Sequence, residues 1–175
     1  MNQNFKQILR YTRMHLNLKN RNILLILFVF TILLLSCSYP AAFPSLDERY
    51  LNEKQVQLKN YAREFIGVPY RYGGVTREGM DCSGLVVRVY KDVYGFTLPH
   101  STALLYKRGK WVSVRALRTG DLVFFRTENR SKPSHVGIYL DTGSFIHASS
   151  SRGVIVSKLT ESYYKKRLMG IKRVI

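Results

Sequence analysis

The chain has 175 residues, with 28 Lys and Arg against 11 Asp and Glu, a formal charge of +17. That length fits one ordinary domain with an extension and excludes a large multidomain enzyme. Hydrophobic residues make up 46% of the chain, enough for a packed core, which excludes wholesale disorder. Two cysteines exclude a disulfide-dense scaffold and a four-cysteine zinc site. The charge alone points to a polyanion, but the basic residues are scattered and form no recognisable nucleic-acid-binding motif. No nucleic-acid partner is expected.

Residues 1–36 read as a sorting signal. Lys6, Arg10, Arg13, Lys19 and Arg21 supply five positive charges with no acid, and an apolar run of 13 residues, 23–35, follows with only Thr31 breaking it. A membrane-spanning helix needs roughly 20 apolar residues, whereas a signal-peptide core needs about 7–15. The run ends in Leu34-Leu35-Ser36-Cys37, which resembles the bacterial lipoprotein signal. A generic signal peptide with a chance cysteine and a short uncleaved anchor are the other readings. On the lipoprotein reading Cys37 is lipidated, becomes the N-terminus and anchors the chain to a membrane. Ser38 in place of Asp then directs it to the outer membrane of the cell envelope, facing the periplasm. Losing the five basic residues of the leader leaves 23 against 11 acids, or +12, for residues 37–175. Cys82 is left without an intramolecular disulfide partner.

Residues 37–52, with Pro40 and Pro44, read as the lipidated terminus and a tether. A domain follows over 53–175. Leu58, Tyr61, Ala62, Phe65 and Ile66 fall at helical spacing, with Gly67 placed to end the helix. Residues 68–80, rich in Gly and Tyr, read as a loop. Leu85, Val86, Val89, Tyr90 and Val93 predict a second helix that starts at Cys82 and ends near Gly95. Six apolar or alternating runs (111–114, 122–126, 135–140, 144–148, 154–156 and 169–174) predict short strands. Helices first and strands after predict an α+β domain with an antiparallel sheet.

Cys82 at a helix start is placed where backbone N–H groups and the helix dipole favour a thiolate. A small buried hydrophobe is the competing reading of such a cysteine. His135 and His147 lie on two runs joined by Asp141-Thr142-Gly143. A three-residue hairpin loop uses a type I turn followed by a left-handed residue, which suits Gly143. Leu140 and Ser144 then close the loop, Gly137 faces His147, and Ser149 faces His135 if the pairing extends that far. The two histidines become diagonal neighbours on one face. A two- or four-residue loop would place them on opposite faces. This geometry offers a relay in which His135 is base toward Cys82 and His147 orients His135. Satisfied core histidines, or a zinc site lacking a recognisable fourth ligand, are the alternatives. His15 and His100 receive no catalytic role.

Five blocks now occur in order: Gly67-Val68-Pro69-Tyr70-Arg71-Tyr72-Gly73-Gly74, Asp81-Cys82-Ser83-Gly84-Leu85, Gly120-Asp121-Leu122-Val123-Phe124-Phe125, His135-Val136-Gly137-Ile138-Tyr139 and Phe145-Ile146-His147-Ala148. Together they resemble the NlpC-type family of bacterial cell-wall cysteine peptidases, above all its short lipoprotein members that act as murein endopeptidases. The resemblance covers about residues 53–175. It implies a papain-like α+β fold, with Cys82 as nucleophile, His135 as base and His147 as third polar residue. It implies that Tyr70 stabilises the oxyanion or positions substrate, and that Asp81 and Ser83 help bind a stem peptide, often through a free amine. Asp81 is also a helix N-cap candidate. The implied partner is peptidoglycan stem peptide, with no metal or organic cofactor and a monomeric enzyme. The expected cut is the D-alanyl–diaminopimelate crosslink. The γ-D-glutamyl–diaminopimelate bond within a stem, or a weakly active wall-binding lipoprotein, are the alternatives. The chain departs from the family pattern where Arg is usual and His100 stands, and where Leu104 and Leu105 replace a usual Gln.

Overall fold

In this computed structural model the described residues are Ile23, Ile26, Phe28, 46–127 and 131–175. The sorting signal, apart from the three helical residues Ile23, Ile26 and Phe28, lies outside them, as do Cys37 and the tether up to residue 45. Among the described residues no helix is long and apolar enough to cross a membrane. Residues Leu46–Ile175 form one compact unit.

Helix α1 spans Leu46–Arg63 and begins inside the segment expected to be tether. Asp47 and Glu48 in its first turn and Arg63 in its last complement the helix dipole. Leu58, Ala62 and Phe65 are buried, but Ile66 is exposed, contrary to the expected stripe. The cause is local. From Glu64 to Ile66 each N–H bonds the carbonyl three residues back, and this tightening turns Ile66 out of register with the stripe. Gly67 follows at φ 89°.

The Gly-rich stretch is not all loop. Strands β1 (Val75–Thr76) and β2 (Gly79–Met80) form a small antiparallel hairpin. Asp81 then caps α2 (Cys82–Tyr94), its side chain accepting from the Gly84 N–H, and Gly95 closes the helix at φ 77° with its N–H on the Lys91 carbonyl. The whole predicted stripe of α2 is buried, which is why its valines are tolerated in a helix. A short helix α3 (Thr102–Tyr106) follows, capped by Ser101. The apolar positions there are too few to show a period.

The strands are β3 (Lys110–Trp111), β4 (Leu122–Phe125), β5 (His135–Tyr139), β6 (Ser144–Ser149), β7 (Gly153–Lys158) and β8 (Leu168–Arg173). They form one sheet in the order β3-β8-β4-β5-β6-β7, with every neighbouring pair antiparallel. The expected strand at 111–114 shrinks to its first residue and Lys110, and a 3-10 turn occupies Val114–Ala116. Helix α4 (Ser162–Lys165) precedes β8.

Both faces of the sheet are covered. Leu122, Phe124, Val136, Ile138, Ile146, Ala148 and Val154 pack with α1 and α2. Val123, Phe125, Phe145, Ile171 and Tyr164 make a smaller core on the opposite face. This two-sided burial explains why the strands read as continuous apolar runs rather than alternating ones.

Asp121 locks the sheet to its entrance turn. It is 1% exposed, accepts from the Arg118 N–H at 2.7 Å, and takes the Arg173 guanidinium through both oxygens at 2.7 Å. Asp121→Ala would strand these donors. We expect a loss of about 3 kcal/mol, the low end for breaking a buried pair because Arg173 keeps a path to water. Urea unfolding checks this, and an unchanged midpoint would contradict it.

Candidate active site

Cys82 is the first residue of α2, and its position is over-determined. The Asp81 carboxylate accepts from Gly84 N–H at 2.7 Å and Ser83 Oγ at 2.9 Å through Oδ1, and from Gly73 N–H at 2.8 Å through Oδ2. Asp81 N–H in turn bonds the Gly74 carbonyl. The glycines are required here: a Cβ on Gly84 would collide with the Gly74 carbonyl oxygen. Burial raises the Asp81 pKa, but the bonds from Gly84, His100, Ser83 and Gly73 outweigh it and hold the carboxyl below its ordinary range. Asp81 thus takes the N-cap role.

The Cys82 thiol is buried, with Sγ 3.6 Å from Thr102 Oγ1. Burial pushes the thiol up, and the Asp81 charge adds to this. The Thr102 hydroxyl and the Val136 and Ser83 amides pull it down without winning. Desolvation outweighs the hydrogen bonds that favour the thiolate.

The histidines meet as the hairpin register requires. Ile138 pairs with Ile146 and Tyr139 with Phe145, the three-residue-loop register. The turn differs in detail: Thr142 and Gly143 both have positive φ (43° and 76°), and Ser144 N–H bonds the Asp141 carbonyl. This is a type I′ pattern with Asp141 as the extra residue. The paired residues of β5 and β6 stop short of the expected Gly137–His147 and His135–Ser149 pairs, and on its other side Ser149 pairs with Gly153. His135 Nε2 lies 2.9 Å from His147 Nδ1, the rings near perpendicular with centroids 4.9 Å apart. A Cβ on Gly137 would stand 2.6 Å from the Phe145 ring and 3.3 Å from His147 Cβ, so glycine makes room for the pair.

His147 Nε2 has two partners that the sequence reading missed, Ser157 Oγ at 3.2 Å and Tyr164 OH at 3.1 Å. Its ring stacks on Phe145 at 4.9 Å. Burial holds His135 down at about 4. Burial, then the charges of His135 and Arg152, hold His147 at about 3. Both imidazoles are neutral near pH 7. Among the described residues no group of three or more His, Cys, Asp or Glu side chains is arranged to hold a metal.

Two cavities meet at the thiol. One, of about 890 Å³, is lined by Tyr70, Asp81, Cys82, Ser83, His100 and Lys132 among others. The other, of about 430 Å³, is lined by Tyr70, Cys82, His135, His147, Arg152 and Glu161 among others. Tyr70, Cys82 and Ser134 border both. Of the sequence-predicted residues, Cys82, His135, His147, Tyr70, Asp81 and Ser83 all come together here. Thr102, Ser157 and Tyr164 join them unforeseen. Ser157 was within reach of the same diagonal rule, since Ile155 lies opposite His147. Tyr164 carries no local signal.

A thiol at the head of a helix that packs on an antiparallel sheet carrying paired imidazoles defines a papain-like α+β domain. The chain belongs to the NlpC/P60 family, whose pattern matches residues 67–173. It is 45% identical over 127 residues to "Murein DD-endopeptidase MepS/Murein LD-carboxypeptidase" of Escherichia coli (strain K12), covering 73% of this chain and 66% of that protein. This chain therefore spans just under two thirds of that relative. It is 37% identical over 151 residues to "Probable endopeptidase NlpC" of the same organism, covering 85% of this chain and 97% of that one. A crystal structure of an NlpC/P60 family protein from Bacillus cereus superposes with a TM-score of 0.64 at 30% identity, over 69% of this chain and 40% of that one.

His147, buried, and His135, half-buried, set a pH dependence. Unfolded, both titrate near 6.5; folded, near 4 and 3. Between these limits the unfolded chain binds more protons, so stability is complete above pH 6.5 and is lost as pH falls toward 4 and 3. The melting temperature should fall between pH 7 and 4.5, and the slope should flatten when His135 and His147 are both replaced by Asn. An unaltered slope would contradict the assignment.

Proposed function

We propose that this protein is a peptidoglycan hydrolase, a cysteine endopeptidase that cuts stem peptides or their crosslinks with Cys82, His135 and His147. The observation that carries the proposal is the meeting of two cavities at Cys82, with His135 on the wall of one. A peptide that runs through both would lay its carbonyl against the thiol.

His135 Nε2 is engaged by His147, which leaves Nδ1 for the thiol. A neutral His147 whose Nε2–H points to Ser157 or Tyr164 presents a bare Nδ1, accepts from His135 Nε2–H, and so fixes the tautomer that keeps His135 Nδ1 basic. The thiol proton passes to Nδ1 as sulfur attacks the carbonyl carbon. The oxyanion is held by backbone N–H groups at the head of α2, with Tyr70 as a further donor. The proton then moves to the leaving amine, the C–N bond breaks and a thioester remains. Water, deprotonated by His135, hydrolyses the thioester and restores the thiol.

The name of the E. coli relative, a DD-endopeptidase and LD-carboxypeptidase of murein, favours the D-alanyl–diaminopimelate crosslink as the bond cut. The leader and Cys37 support a lipoprotein anchored in the outer membrane and facing the periplasm, acting as a monomer. The charge of residues 37–175 suits a domain held beside anionic lipid and wall.

Digested sacculi analysed by liquid chromatography and mass spectrometry test the activity. Crosslinked dimers should fall and monomers with intact stems rise, whereas products whose stems end at D-Glu would assign the γ-D-glutamyl bond. Cys82→Ser should lower the rate by roughly 10³ or more, and His147→Ala by roughly 10²–10⁴. Full digestion by Cys82→Ser would exclude this nucleophile. Fatty-acid labelling that survives Cys37→Ala would exclude the anchor.

A further inference from the structure

The residue where the chain departs most plainly from its family pattern, His100, stands against the carboxylate that holds the nucleophile helix. His100 Nε2 lies 3.0 Å from Asp81 Oδ1. With Gly84 N–H, Ser83 Oγ and Gly73 N–H already in place, His100 is the fourth donor on this carboxylate. Gly84, Ser83 and His100 all meet Oδ1, and Gly73 meets Oδ2, so Oδ1 carries three donors against about two lone pairs. Gly84, Ser83 and Gly73 belong to the framework of α2 and the Gly-rich loop. Only His100 arrives from elsewhere, on the segment that leads into α3, and it lies on the cavity side: its side chain is 33% exposed, that of Asp81 10%. Asp81, His100 and Lys132 all line the larger cavity, and His100 covers the less exposed carboxylate.

We propose that His100 is a specificity-determining residue that closes Asp81 to substrate ammonium groups. The cavity beside Cys82 then takes a stem-peptide segment whose nitrogen at this point is acylated, as in a chain still joined to the wall, on equal terms with a free amine. This rests on the peptidase reading given above. A substrate ammonium would have to displace an existing charge-assisted bond and shed its own water, so it gains little over a neutral amide. Without His100 the place it holds on Oδ1 would be left to a free amine, which would gain a charge-assisted bond that an amide cannot match.

The test is a matched pair of synthetic stem peptides, one with a free N-terminal amine and one N-acetylated, given to the full chain. The wild type should cleave both with kcat/KM within about threefold. His100→Ala should favour the free amine by about tenfold or more, mainly through KM, and His100→Gln, whose amide can donate to Asp81, should return the ratio toward the wild type. The same segment places Thr102 beside Cys82, so His100→Ala can lower both rates together. The ratio between substrates is insensitive to that loss. A wild-type preference of tenfold for the free amine, or a ratio unmoved by His100→Ala, would overturn the proposal. Failure to cleave either peptide would overturn the peptidase reading instead. Calorimetric Kd values for the same two peptides on Cys82→Ala, with and without His100→Ala, would then still judge His100 by their ratio.

Discussion

The capping of α2 by Asp81 is the constraint on which the rest of the site depends. One carboxylate gathers the Gly73 amide, the Gly84 amide, the Ser83 hydroxyl and the His100 ring. It thereby joins the Gly-rich loop that carries Tyr70, the first turn that carries Cys82 and the segment that carries Thr102. A helix N-terminus leaves its first amides without intrahelical partners. Here a side chain satisfies one of them while the helix presses so close to Gly74 that only glycine fits at position 84. The nucleophile is held by the backbone on both sides, which fixes its direction more firmly than side-chain packing could.

Much of this was legible in the sequence because it obeys short-range rules. Asp81 before a stripe of Leu85, Val86, Val89, Tyr90 and Val93, with Gly95 beyond, encodes a capped helix, and the helix Cys82–Tyr94 is what forms. The register that brings His135 to His147 follows from a loop length and the two-residue period of strands. The turn within that loop did not follow, because Thr142 takes a positive φ that a β-branched residue rarely adopts. Some of the shortest elements were not legible. The β1–β2 hairpin, α3 and α4 are too short for a period to show, and they are fixed by contacts made elsewhere in the fold. Tyr164 reaches His147 across the sheet face, a tertiary contact without local trace.

The electrostatics of the site turn on burial more than on the helix dipole. A thiol at a helix start would be acidified if it faced water, but Cys82 is enclosed and its pKa rises. The same enclosure lowers His135 and His147, so no charge separates in the free protein. A neutral pair has two consequences. The proposed nucleophile, Cys82, is protected from stray alkylation and oxidation, since the thiolate is the reactive form. The work of separating charge falls to the moment when a carbonyl is in place to receive the electrons and when amides stand ready for the oxyanion. In the proposed mechanism His147, held down by burial, stays an acceptor and takes a hydrogen bond from the imidazolium that forms on His135.

The departures from the family pattern can now be sorted by what they touch. Leu105 is wholly buried in the main core, so an apolar residue there serves packing and says nothing about substrate. Leu104 is 50% exposed, and the cavity lining passes over it to Thr102 and Ala103. His100 alone reaches both the cavity and the carboxylate that anchors the nucleophile. The thiol, the two imidazoles and the cap are set by α2, β5 and β6, whereas the donor that completes Asp81 comes from a connecting segment. Chemistry held by the sheet and helix, with selectivity carried by a connection, is the division expected when a rigid scaffold positions a site and its loops choose what enters.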